Sequence, residues 1–160
     1  MSSPRKRPPR RASTARPAAG SLFALPCACA NIRRLSRLVT RLYDAELRDS
    51  GLEVTQFGVL GALNRFGDAT HGQLAKGFGM DSTTMTRVIA VLERRGLVTR
   101  RAGTDRRQRI YQTSPEGRAQ LDAARAGWRR AQERLHALLG DDTLSALADA
   151  TTKLGTEAPE

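Results

Sequence analysis

From Ile32 onward, Leu35, Val39, Leu42 and Tyr43 recur at helical spacing while Arg33, Arg34, Arg37 and Arg41 take the other side, the pattern of a helix with one apolar stripe. It predicts a first helix from Pro26, a good first-turn residue, to about Arg48, ended by Ser50 and Gly51. A second helix, VTQFGVLGALNRF, is closed by Gly67. In THGQLAKGFG, Thr70 and Gln73 have capping-box spacing, so a short third helix starts at Thr70 and breaks at Gly79. Asp81 or Ser82 caps a fourth, STTMTRVIAVLERRG, whose Met85, Val88, Ile89 and Leu92 form the inward stripe. Its outward face is then Ser82, Thr83, Thr86, Arg87 and Ala90, with Ser82 read as a helix cap rather than a contact.

Gly96 ends that helix, and LVTRRA followed by RQRIYQT reads as two short strands joined by GTDRR. Ser114 and Pro115 restart a helix, SPEGRAQLDAARAGWRRAQERLHALLG, and a last one begins near Asp141 or Asp142 with Leu144, Leu147 and Leu154. The small, polar or basic outer face of the fourth helix suits a groove about 12 Å wide and its base edges. Helices three and four therefore read as a helix-turn-helix and the hairpin as its wing. Neither terminal helix finds enough apolar surface elsewhere in so small a chain to cover it, so helices one, five and six are expected to pack against a second copy. The expected fold class is mainly α: a winged helix-turn-helix DNA-binding domain over residues 54–113, with long N- and C-terminal helices, 26–49 and 115–155, forming a dimerisation region.

Composition supports this picture. With 160 residues the chain is long enough for one domain with a real core and too short for two ordinary ones. Aromatic residues make up only 4%, and the Leu, Ala and Val that remain favour helices. A formal net charge of +11 points to a polyanion partner without separating DNA, RNA and anionic membrane. Its distribution says more. Residues 1–20 carry five Arg, one Lys, four Pro and no acid, a basic tail expected to be disordered, either a nucleic-acid arm or a solvated leader. From Asp81 to Arg109 there are eight Arg against three acids with no Lys or His, a less even mixture than a solvated face carries.

Several function classes fall away. No run approaches a membrane span, and no apolar stretch of adequate length follows the basic tail before Asn31 and Arg33, so neither a membrane anchor nor a secretory leader is expected. A cytoplasmic protein with reduced thiols follows. The chain has no Ser/His/Asp arrangement and no phosphate loop, and its two His, His71 and His136, lie in unrelated segments. No enzyme and no cofactor are expected. A basic protein that binds nucleoid DNA or RNA without an operator remains the rival class.

The order of these elements resembles the MarR family of winged-helix transcriptional regulators over about residues 27–155, within one domain expected over 21–160. The strongest likeness is STTMTRVIAVLERRGLVTRRAGTDRRQRIYQTSPEG, which is similar to the family's recognition helix, its Gly-Leu-Val strand and its Asp-x-Arg wing signature, here Asp105 and Arg107. GLEVTQFGVLGAL resembles the start of the family's second helix. Thr113-Ser114 stands where the family usually has Leu-Thr, which is expected to weaken packing at the start of helix five, and Glu53 stands where a capping Thr or Ser is common, with Thr55 as a substitute cap. The resemblance implies a homodimer, most often a repressor, that sets two fourth helices into successive major grooves of a pseudo-palindromic operator in double-stranded DNA. Within that picture Thr83, Thr86 and Arg87 are candidates for base or adjacent phosphate contact, joined by Thr84. Arg107, with Arg106 beside it, is the candidate minor-groove arginine, and Asp105 orients an arginine rather than touching phosphate.

The only cysteines, Cys27 and Cys29, stand one residue apart in LPCACANIRR. Two residues apart on a helix they would point about 200° from each other, which disfavours a disulfide within an intact helix. Three uses stay open: packing at a dimer contact, a metal-responsive site lacking other obvious ligands, and a redox switch. For the switch, Cys29 sits in an expected first turn with Arg33 one turn on, both favouring thiolate. The resemblance adds that the branch of the family sensing organic hydroperoxides has a reactive Cys near the start of helix one and a Tyr fourteen residues later, here Cys29 and Tyr43; a second Tyr of that branch is replaced by Val54. Fourteen helical residues span roughly 21 Å, so Cys29 and Tyr43 meet only across a dimer. Peroxide oxidation of Cys29, captured by Cys27 of the partner subunit or a small thiol, is one expected trigger. The competing effector is a small aromatic or lipophilic anion bound by Arg37, Tyr43 and Phe57.

Overall fold

The structure, a computed structural model, describes residues 27–103 and 108–157. The basic tail over 1–20, Pro26 and the wing residues Asp105, Arg106 and Arg107 lie outside them. The chain divides into two units, residues 1–35 and 36–160. The described part of the first is the opening of helix α1, whose bounds are Ala28–Leu47. Cys27, expected inside this helix, stands before it: its carbonyl accepts the Asn31 N–H at 3.2 Å, the first bond of the ladder.

The second unit continues through a 3-10 turn, Arg48–Ser50, then α2 (Val54–Phe66), β1 (Ala69–Thr70), α3 (His71–Gly77), α4 (Ser82–Arg94), β2 (Val98–Ala102), β3 (Arg109–Thr113), α5 (Pro115–Leu139) and α6 (Asp141–Glu157). Most of these bounds follow from local caps. Thr70 and Gln73 form the expected capping box of α3. Ser114 accepts the Gly117 N–H at 2.9 Å at the head of α5, with Pro115 in the first turn. At α2 the cap is Glu53 rather than Thr55. The Glu53 N–H reaches Gln56 Oε1 at 3.4 Å, and the next N–H, of Val54, goes to Asp44 Oδ1 at 2.7 Å.

The sheet has three antiparallel strands in the order β1-β3-β2, with Val98 opposite Thr113, Ala102 opposite Arg109, and Ala69 opposite Tyr111. The third strand was not anticipated. Leu47, Val59, Leu60, Met85, Ile89, Leu92 and Leu121 fill one core beneath the sheet strands' Val98 and Tyr111. Fully burying one such side chain stabilises by about 1.5–3 kcal/mol.

The Thr113-Ser114 junction does not loosen the start of α5. Ser114 is only 3% exposed and donates its hydroxyl to Gly96 O at 2.6 Å, while its N–H meets Leu97 O at 3.0 Å. Thr113 Oγ1 donates to Leu60 O at 3.4 Å. The two hydroxyls tie strand, helix and turn together where weaker packing was expected. Among the described residues no helix is long and apolar enough to cross a membrane.

Candidate nucleic-acid interface

Helix α4 is held at both ends. At its start Asp81, with extended backbone, accepts the Thr84 N–H at 2.8 Å on one carboxylate oxygen and the Thr84 hydroxyl at 2.7 Å on the other. These hydrogen bonds, the hydroxyl's first, hold the Asp81 carboxyl below its ordinary pKa. Capping thus belongs to Asp81 and not to Ser82, because Asp81 has the extended φ/ψ from which a side chain reaches back to the third amide. At its far end Arg95 donates to Gly51 O at 2.8 Å and to Gln56 Oε1 at 3.4 Å, fastening the helix to the turn before α2.

Between these ends Met85, Ile89 and Leu92 are buried, and Ser82, Thr83, Thr84, Thr86 and Arg87 are exposed. The face expected to meet DNA is therefore the solvent face. Within it the residues differ. Thr84 spends its hydroxyl hydrogen on Asp81. Thr86 donates its own to Ser82 O at 2.8 Å and lies 3.0 Å from His71 Nε2. Arg87 has no ion-pair partner among the described residues.

The arginines expected to act as one basic surface also divide. Arg95 is committed to Gly51 and Gln56, Arg100 lies 3.4 Å from Glu93, and Arg101 pairs with Asp68. The Arg101 hydrogen bond, ahead of that from Gln112, keeps the Asp68 carboxyl below its ordinary pKa. Arg87, Arg94 and Arg109 are exposed. The strands that carry Arg100, Arg101 and Arg109 place them beside α4 through the sheet, as a wing does. His71 and Asp68 were absent from the expected site; the sequence offers no local signal for either, since each meets its partner across elements.

The cysteines are free thiols and exposed, Cys27 before α1 and Cys29 in its first turn. Arg33 is exposed as well. In the second unit Tyr43 is 7% exposed, and burial raises its phenol pKa. Among the described residues no group of three or more His, Cys, Asp and Glu is placed to hold a metal ion.

A cavity of about 460 Å³ opens between α2 and α5, lined by Phe57, Gly61, Asn64, Arg65, Leu121, Arg125 and Trp128. Phe57 and Trp128 stack there with centroids 5.9 Å apart and planes at 19°. Of the expected effector residues only Phe57 lines it; Arg37 is exposed on α1 and Tyr43 is buried elsewhere in the unit. The cations at this cavity are Arg65 and Arg125, the latter 2.8 Å from Asp122.

A sequence model described as the MarR family matches residues 50–108. An HTH-type transcriptional regulator, YwoH, of Bacillus subtilis (strain 168) is 26% identical over 117 residues, which are 73% of this chain and 85% of YwoH. The M. tuberculosis transcriptional regulator MosR, solved in complex with DNA, is similar in structure with a TM-score of 0.73 at 36% identity, over 82% of this chain and 95% of its own. A probable transcriptional regulator from Pseudomonas aeruginosa gives a TM-score of 0.70 at 28% identity, over 81% and 97%.

Proposed function

Because the chain belongs to the MarR family of DNA-binding transcriptional regulators, we propose that it acts as a homodimeric, operator-specific repressor that an effector releases from DNA. One observation carries this reading: α4 buries Met85, Ile89 and Leu92 while turning Thr83, Thr86 and Arg87 to solvent beside an arginine-bearing hairpin. MosR, at 36% identity, has been solved on DNA. Arg87 and Thr83 then meet base edges or the flanking phosphates, and Arg106 and Arg107 of the wing reach the minor groove. Dimerisation is supported by Leu138 and Leu154, which are 67% and 63% exposed on α5 and α6. Packing these side chains against a second copy would remove their apolar area from water.

Selection from a pool of random duplex DNA tests this. The expected product is a two-fold symmetric sequence with half-sites about 10 base pairs apart. A pool that yields no preferred sequence, with RNA and random duplex bound equally, leaves only a general nucleic-acid binder.

For the trigger, Cys29 carries the first reading. Its exposed thiol in the first turn of α1 attacks a hydroperoxide: an S–O bond forms, the O–O bond breaks and an alcohol leaves. A second thiol then displaces water from the sulfenic acid. That second thiol is Cys27 of the partner subunit or a small thiol. Operator binding should be lost with an organic hydroperoxide, return with a thiol reductant, and persist throughout in Cys29→Ser. If wild type and Cys29→Ser respond alike, the cysteines only pack. The second reading, an aromatic anion against Phe57, Trp128 and the two cations of the α2–α5 cavity, is then tested with phenolic acids.

A further inference from the structure

The contact between His71 and Thr86 joins two helices of the DNA-reading unit, and its hydrogen-bond direction can be worked out. Thr86 Oγ1 lies 2.8 Å from Ser82 O, a carbonyl that only accepts, so the hydroxyl hydrogen goes there. Threonines in helices split between two rotamers, and this back-bonded one is an ordinary choice. The second observation is independent of it. His71, the first residue of α3, places Nε2 3.0 Å from the same oxygen. With the hydroxyl hydrogen already committed, Thr86 offers His71 a lone pair, so Nε2 carries the hydrogen and donates. His71 is half-buried, and Thr86 is exposed on the outer face. What Thr86 still presents to solvent is one lone pair and its γ-methyl; it has no hydrogen left to donate.

We infer that His71 is a specificity-determining positioning residue, one that locks Thr86 as an acceptor-plus-methyl reader of an A·T pair. In the major groove adenine presents an amino donor and thymine a methyl group, which match that lone pair and methyl. Guanine presents only the acceptors N7 and O6, which a hydroxyl without a free hydrogen cannot satisfy, and cytosine, whose amino group that lone pair could meet, lacks the methyl. Once the imidazole is removed, the Thr86 side chain is free to leave Ser82 O, turn its hydrogen outward and donate to guanine. His71 therefore acts through Thr86 and touches no base itself. This inference rests on the reading of α4 as the helix that enters the groove.

The test measures affinity, at one salt concentration, of the full chain for its selected duplex and for duplexes with each base pair replaced in turn. In wild type one base pair per half-site should prefer A·T over G·C by ~10-fold, the size of one good base contact. His71→Ala should cut that preference to ~2-fold while leaving the other positions and random duplex unchanged. His71→Gln, whose amide nitrogen reaches as far as Nε2, should restore most of it. Thr86→Val, which keeps the methyl but loses the lone pair, should lower it, and His71→Ala should add nothing further in the Thr86→Val background. A thermal melt checks that each variant is folded; if His71→Ala is not, His71→Gln and Thr86→Val carry the comparison. A loss in His71→Ala that is uniform over all duplexes marks a phosphate contact and overturns the inference, as does an unchanged A·T preference. A wild type that binds every duplex alike overturns the reading of α4, and the inference with it.

Discussion

Asp81 uses both carboxylate oxygens on Thr84, and the ionised form is the one that makes those bonds. Its folded pKa lies below the ordinary one, so the stabilisation it gives α4 is fully present above the usual carboxylate range and is lost as pH falls through the lowered folded value. The Thr84 amide should therefore lose its hydrogen-bonded chemical shift below the usual carboxylate range in an NMR titration, and Asp81→Asn should abolish that step; a step that survives in Asp81→Asn contradicts the cap. This cap was legible because acceptor and donor lie within one helical turn. The same was not true of the arginines. In sequence Arg101 and Arg87 look alike, yet Arg101 pairs with Asp68, 33 positions away, and Arg95 with Gly51, 44 positions away, whereas Arg87, exposed like both, has no ion-pair partner among the described residues. His71 and Thr86 are another such pair, made by the crossing of two helices rather than by anything in either one.

At the scale of elements, α5 is fixed by two glycines whose spacing no periodicity argument singled out. A Cβ on Gly117 would stand 2.1 Å from Leu97 O, and one on Gly127 would stand 2.3 Å from Glu46 O. Both obstacles are backbone atoms, so neither can swing aside, and Gly127 is where α5 crosses the end of α1. Arg130 adds an ion pair to Glu46 at 3.0 Å beside that crossing. Gly127→Ala should lower the free energy of unfolding by about 1–3 kcal/mol, the usual cost of overpacking. Gly61→Ala in α2, where a Cβ meets nothing within 4 Å, should raise it by about 0.5–1 kcal/mol through helix propensity. Denaturant midpoints of the two variants read both effects, and equal shifts of the same sign contradict the close crossing. The bounds of α2, α4 and α5 were readable because their caps are local. The two-residue β1 and the 3-10 turn were not: β1 exists only because Ala69 and Thr70 pair with Tyr111 and Ile110.

At the scale of the whole molecule, the amphipathic pattern and the basic segment led to the winged helix-turn-helix and to a DNA-binding regulator. The pattern of uncovered leucines on α5 and α6 led to the proposed dimer. The effector site was less legible, since Trp128 and Arg125 reach the α2–α5 cavity only through the packing of α5 on α2, and no sequence neighbour announces them. With a net charge of +11 the chain is expected to bind any duplex at low salt. Charge alone therefore cannot distinguish a regulator from a general nucleic-acid binder; sequence discrimination can. The decisive measurement is the ratio of affinities for the selected duplex and a scrambled duplex of equal length and composition, at matched, near-physiological salt. A helix that reads base edges predicts ~10³-fold or more in favour of the selected duplex, falling in Arg87→Ala, whereas equal affinity for the two contradicts it.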